Sequence, residues 1–174
     1  MNVIAENQPI IADQEGVWDG EYVHLDTNHA VIDRHRSRLV CRLEDGEDGE
    51  ARLSQTNIYT WPDDQREIRS FDGVYRGDRI WIKNELIDGW TGAVSLDTTN
   101  RTIMVGWTQA NEPDFRFYEM ITVAEDGDAK NRTWHWYREG RLFQRTVINE
   151  ERVSREWRDY DDPGYYANSP KAPR

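Results

Sequence analysis

The sequence predicts an all-β fold: a single closed, antiparallel, up-and-down β-barrel of about 8–10 strands, with a short N-terminal arm and a C-terminal helix or tail. Three observations carry that expectation. From Gly16 onward the residues alternate in character with a period of two, the spacing of side chains on opposite faces of a strand. Turn signals built from Gly, Asp, Asn and Pro recur roughly every ten residues, as in barrels and sandwiches. No segment shows the long amphipathic pattern that the crossover helices of a parallel sheet need.

Residues 1–14 read as an arm or short helix covering one end, 15–150 as the barrel and 151–174 as a C-terminal extension. The first strand, Val17 to Asp26, sets Trp18, Gly20, Tyr22 and His24 on one face. In the second, Val31 to Glu44, Arg34, Arg36, Arg38 and Arg42 share a face opposite His35, Ser37, Leu39, Cys41 and Leu43. The arginines belong outside and the second set inside. DGEDGE at 45–50 makes a hairpin turn, and the third strand, Ala51 to Trp61, points Leu53, Gln55, Asn57, Tyr59 and Trp61 inward.

Later strands are expected at Arg66 to Tyr75, Arg79 to Leu86, Trp90 to Leu96 after an Asp88-Gly89 turn, Thr102 to Gln109 and Phe115 to Ala124. A hairpin through Glu139-Gly140 joins Arg132–Arg138 to Arg141–Ile148. Val153, Trp157 and Tyr160 fit either a helix or a continuation of the last strand, and DDPGYYANSPKAPR reads as an irregular tail.

With 33 acidic against 22 basic residues the net charge is −11. Nucleic-acid affinity depends on neutralising phosphates, so a nucleic-acid partner is not expected. The 8 Trp, 8 Tyr and 4 Phe are more aromatic content than a disordered chain carries. One cysteine, Cys41, excludes an intramolecular disulfide and a Cys-rich metal site, and its inward β position reads as inert packing. MNVIAENQPIIADQ has neither a basic n-region nor a long apolar run, so a cytoplasmic location without membrane insertion is the expectation.

Gly16-Val17-Trp18 opening a meander of about ten strands resembles the calycin superfamily of lipocalins, fatty-acid-binding proteins and nitrobindin-like barrels. The segments DRHRSRL, TNIYTWPD and WHWYREGRL are also similar to an uncharacterised bacterial lipocalin-like family. The resemblance spans residues 15 to 150 and implies a barrel that holds a small ligand. It further implies that Trp18 closes the floor beneath a basic side chain from a late strand, Arg145 or Arg155.

The inward faces are rich in polar groups. His24, His35, Gln55, Asn57, Tyr59 and Trp61 share one lumen, where an unpartnered polar group costs roughly 1–3 kcal/mol. They need each other, water or a ligand. His24 and His35 flank the first turn and suit acid–base chemistry near neutrality. With Asp26 or Asp33 they would make three metal donors, but no HxH or HExxH spacing supports it, and neither metal nor cofactor is expected.

On the ninth strand the arginines at 132 and 138 share the Trp134/Trp136 face, which favours His135 and Tyr137 pointing inward. A lone inward histidine would suit haem only by analogy with nitrobindin-like barrels. Glu85 beside Trp81 and Lys83, and Glu119 beside Phe115, Phe117 and Ile121, are each a general base or half of a salt bridge. Trp107 reads as an aromatic wall. The candidate catalytic set is therefore His24, His35, Tyr59, Glu85 and His135, and the candidate ligand contacts are Tyr22, Asn57, Trp61, Trp107, Tyr137 and Arg145.

No nucleophile elbow, phosphate loop or dinucleotide fingerprint occurs. The first reading is a barrel binding a small hydrophobic or aromatic molecule. The second is a cofactor-independent lyase, isomerase or hydrolase working with His, Tyr and Glu in the same lumen. The third is an interaction module using the outward arginines. A homodimer is compatible with all three.

Overall fold

A computed structural model describes residues 2–160 of the chain. Two short helices, α1 (Val3–Asn7) and α2 (Pro9–Ala12), precede ten strands. These are β1 (Gly16–Asp26), β2 (Val31–Asp45), β3 (Ala51–Thr60), β4 (Arg66–Arg76), β5 (Arg79–Lys83), β6 (Ile87–Val94), β7 (Thr102–Gln109), β8 (Glu112–Val123), β9 (Ala129–Arg138) and β10 (Arg141–Ser154). Every strand pairs antiparallel with its sequence neighbours, and β1 closes on β10. The expected closed up-and-down barrel is the observed architecture.

Three expectations are corrected. Asp88-Gly89 lies inside β6, and the chain reverses at 84–86 instead. A Cβ at position 89 would collide with the Trp107 side chain, so this glycine marks a close approach within a strand. Strand β9 starts at Ala129, which brings Lys130 into the ladder. Strand β10 continues through Ser154, after which 155–157 are irregular and lead into a single 3-10 turn at Arg158–Tyr160. The tail expected to be irregular lies outside the described residues.

The two ends of the barrel differ. At the floor α1 and α2 cap the opening and insert Ile4, Ile10 and Ile11 into the core. Gln8 ties this cap to the wall, donating to the Asp78 carbonyl and accepting from the Ala93 amide. Trp18 is fully buried and donates its indole N–H to the Gln14 carbonyl at 2.9 Å. The Arg152 guanidinium sits 4.0 Å and the Lys130 ammonium 4.3 Å from its ring centroid, a cation–π pair on a sealed ring. The expected partner, Arg145 or Arg155, is thus Arg152. Arg145 faces outward opposite His135, and Arg155 reaches out to Asp128.

Gly16 has φ +121°, and a Cβ there would strike the Ser154 carbonyl. The motif's glycine therefore lets β1 and β10 close next to Trp18. The opposite end, formed by the β1–β2, β3–β4, β5–β6, β7–β8 and β9–β10 turns, is the rim.

Candidate functional site

Adjacent strands deliver the rim cluster because inward positions repeat every second residue. β1 supplies Tyr22 and His24; in register opposite them β2 supplies His35 and Asp33. β3 adds Tyr59, and Trp61 follows directly after its last residue, Thr60. Asp33 Oδ2 lies 2.7 Å from His35 Nδ1 and 3.9 Å from His24 Nε2, while Trp61 Nε1 donates to the other Asp33 oxygen at 3.1 Å. The His24 and His35 rings are 5.3 Å apart, and His35 stacks on Tyr22 at 5.0 Å and meets Trp61 at 4.6 Å. Gln144 Nε2 and Thr146 Oγ1 of β10 hold His24 Nδ1 at 2.8 and 2.7 Å.

These contacts set the charges. Burial, helped by neighbouring His35 and opposed by Asp33, pushes His24 down to about 4, so it is neutral near neutral pH. Burial works to raise the Asp33 carboxyl. The His35 hydrogen bond and charge, with the Trp61 N–H, outweigh it and hold Asp33 below the usual carboxylate range. Burial drives the Tyr22 hydroxyl well above its ordinary range against the pull of Arg132, and it raises Tyr59 as well.

Beneath the cluster, Gln55 donates to Asn57 Oδ1 and Asn57 donates to the Tyr59 hydroxyl, both at 2.7 Å. The opposite wall is aromatic. Trp107 stacks on Phe117 at 4.5 Å, and Trp136 meets Phe117 edge-on at 4.9 Å. Trp61, Trp107 and Trp136 face the lumen yet are only partly buried. Glu67 and Arg69, on the same face of β4 by their pairing with Tyr59 and Asn57, form an ion pair whose side chains are 41% and 56% exposed. Inward side chains that reach water define an open mouth. Further in, Trp134 Nε1 and Ser37 Oγ are buried with no hydrogen-bond partner among the described residues.

Below the mouth lies a sealed charge network. Arg132 donates to Glu119, to the Tyr22 hydroxyl at 3.0 Å and to Glu150 Oε1 at 3.0 Å, and Lys130 pairs with Glu150 Oε2 at 3.1 Å. Burial works against the Arg132 charge, but Glu119, Tyr22 and Glu150 outweigh it. Gly20 makes the space, since a Cβ there would come within 2.5 Å of Glu150 Cγ.

The fold gathers His24, His35, Tyr59, Tyr22, Asn57 and Trp61 into one cluster and sets Trp107 on the facing wall. It separates the rest. Glu85 is exposed in the β5–β6 turn, because β5 ends at Lys83 before the face it was assigned to continues. His135 and Tyr137 lie on the outer wall, with Tyr137 against Tyr118, as does Arg145. The physical reason is Arg132: paired with Glu119 and Glu150 it belongs inside, and Trp134 and Trp136 come in with it. Glu119 is the inward carboxylate, as half of a salt bridge.

Sequence reasoning missed Gln144, Thr146, Trp134, Trp136 and Arg132. Two tryptophans of apolar bulk on one face of β9 were the stronger signal than the arginines beside them. The outward arginines of β2 are matched by β1: Arg38 chelates Asp19 with two bonds of 2.6 Å, and Arg34 donates to Glu21 at 2.8 Å. An outer-wall hollow of about 650 Å³ holds Asp19, Glu21 and Arg36 but none of the predicted site residues.

No family model and no curated protein sequence matches the chain. Solved structures do. A protein of unknown function from the DUF3598 family of Nostoc punctiforme PCC 73102 superposes with TM-score 0.62 at 16% identity, over 82% of this chain and 49% of that one. The chain thus spans about half the length of that neighbour. The S-type phycobiliprotein lyase CPES from Guillardia theta gives TM-score 0.62 at 12% identity, covering 87% and 93%. Rv2717c from M. tuberculosis gives 0.56 at 12%, covering 83% and 95%. The chain has a calycin-like barrel fold. At these identities the likeness is one of fold. Among the described residues no helix is long and apolar enough to cross a membrane.

Proposed function

We propose that this barrel binds a small, planar hydrophobic or aromatic molecule in the rim half of its lumen. The observation that carries the reading is the set of inward tryptophans, Trp61, Trp107 and Trp136, left partly exposed at the mouth while the floor is fully buried. Large apolar surface facing a lumen yet open to water is what a ligand covers. The Trp134 N–H and Ser37 hydroxyl, without a partner among the described residues, support it, since buried polar groups lacking partners call for an acceptor or donor from elsewhere. Tyr59, Asn57 and the Asp33–His35 pair would orient the ligand's polar atoms.

Titration with 8-anilinonaphthalene-1-sulfonate, a planar aromatic probe, tests this. Saturable binding of one probe per chain, weakened at least tenfold in Trp107→Ala, is the expected result; absence of saturable binding to the folded protein would sink it.

A second reading, acid–base catalysis on the bound molecule, is favoured by one observation: the 2.7 Å Asp33–His35 contact. A carboxylate that orients an imidazole and stabilises its charged form is the usual support of a general base. Lyase chemistry is its first form, because one barrel of the same fold is named a lyase. Mass spectrometry of bound compounds after incubation with wild-type and His35→Ala protein separates the readings. Conversion by the wild type alone favours catalysis, and recovery of every compound unchanged favours a carrier.

A further inference from the structure

We propose that His24, Asp33 and His35 form a binding site for a divalent transition-metal ion, with zinc the ion its donors suit. The idea is independent of which organic molecule, if any, occupies the lumen. The sequence carries no metal spacing. The register creates the site, by setting His24 of β1 opposite Asp33 of β2 with His35 two residues along on the same face. One nitrogen from each imidazole and one Asp33 oxygen lie within 4.8 Å of one another.

The geometry is close to what an ion requires. Ligand bonds of about 2.0–2.1 Å in a tetrahedral zinc site space the donors roughly 3.3–3.4 Å apart. The separations around Asp33 Oδ2, 2.7 Å to His35 Nδ1 and 3.9 Å to His24 Nε2, bracket that value. In the metal-free protein the shorter contact is bridged by a proton, and an incoming ion replaces it. Two imidazoles and one carboxylate are borderline N/O donors of the kind zinc takes when a fourth position stays open.

The surroundings are those of a supported site. Metal-bound imidazoles are oriented through their other ring nitrogen. His24 presents Nε2 toward Asp33, and with Nε2 as the ligating nitrogen its Nδ1–H donates to Thr146 Oγ1 at 2.7 Å. The second Asp33 oxygen is fixed by the Trp61 N–H at 3.1 Å. The Asp33 side chain is 39% exposed, which gives an ion a path in from the rim. The open coordination position would lie among Tyr22, Tyr59 and Trp61, beside the aromatic wall, so a bound ion would polarise a ligand oxygen or a water there.

The test uses the full chain, first stripped with a chelator, then titrated with Zn²⁺ in a calorimeter and with Co²⁺ as an optical probe. One Zn²⁺ per chain and visible Co²⁺ bands of four- or five-coordinate type are expected. His24→Ala and Asp33→Asn should each weaken Zn²⁺ by more than the roughly 10–100-fold that a lost outer contact costs, and Thr146→Val should fall within that range. The double variant His29→Ala/His135→Ala, which removes the remaining histidines, should bind as the wild type does. Wild-type imidazole NMR needs no variant: Zn²⁺ should move the His24 and His35 resonances and leave those of His29 and His135. Non-saturable binding, or loss of binding only in the His29/His135 variant, overturns the proposal. Retained anilinonaphthalene binding in the chelator-stripped protein would show that the ligand site stands without the ion.

Discussion

Lys130, Arg132 and Glu150 at the floor have side chains 0–6% exposed, whereas Asp33, Glu67 and Arg69 at the rim are 39–56% exposed. Both groups face the same lumen and come from the same continuous sheet. At the floor every charge meets an opposite charge and the α1–α2 cap shuts out water. At the rim the polar groups are held by hydrogen bonds beside half-covered tryptophans, and water reaches them. Burying a charge is tolerable only when it is paired and hydrogen-bonded, so removing a single member of the floor network leaves its partners uncompensated. The water-exposed ion pair and carboxylate of the rim carry a smaller penalty.

The largest effect that would break this division is at Arg132. Arg132→Leu leaves Glu119 and Glu150 facing apolar surroundings with one cation, Lys130, between them, and should cost about 3–5 kcal/mol in urea unfolding. Removing both partners in Glu119→Leu/Arg132→Leu should recover part of that loss, because the charge left uncompensated is then smaller. Equal stability of the single and double variants would mean that the network is not the unit described.

At the rim the expected order is reversed, with a large effect on ligand and a small one on stability. Trp107→Ala removes the ring stacked on Phe117 and should lower anilinonaphthalene affinity at least tenfold while destabilising less than Arg132→Leu. Trp61→Phe keeps an aromatic ring but deletes the N–H to Asp33, a loss of about 0.5–1.5 kcal/mol, somewhat more if the acceptor's charge is felt. A larger stability loss there than at Arg132 would reverse the assignment of the two ends.

The barrel and the rim cluster were legible in the sequence because period-two alternation alone fixes which residues of β1, β2 and β3 share the lumen. His24, His35, Asn57, Tyr59 and Trp61 follow from parity and one turn. What parity leaves open is sign: either face of a strand satisfies the alternation, and another rule must choose between them. For β9 that rule was that arginines face water, and it failed because Arg132 is neutralised by Glu119 on β8 and Glu150 on β10. Those pairings join positions 13 and 18 residues away across the sheet, beyond any local pattern. His135 and Tyr137 went to the wrong face by the same step, and Arg145, taken from the family resemblance, lies outside with them opposite His135. The Trp18 cover is Arg152 and not Arg145 or Arg155, because β10 runs on to Ser154 and puts Arg152 over the ring.

The smallest expected effect is also the most direct probe of the closed floor. Cys41 lies on the inward face of β2 between Leu39 and Leu43, is 1% exposed and donates weakly to Gln55 Oε1 at 3.5 Å. Burial pushes its thiol up, against the pull of Lys130, so little thiolate forms at neutral pH. Native protein should therefore leave 5,5′-dithiobis(2-nitrobenzoate) unreacted for as long as it stays folded, with one thiol appearing on denaturation. In the same sample acrylamide should quench the rim tryptophans, Trp61, Trp107 and Trp136, while Trp18 remains shielded. Rapid reaction of Cys41 in the folded state would mean that solvent crosses the floor, and the contrast between the two ends would then rest on the charge network alone.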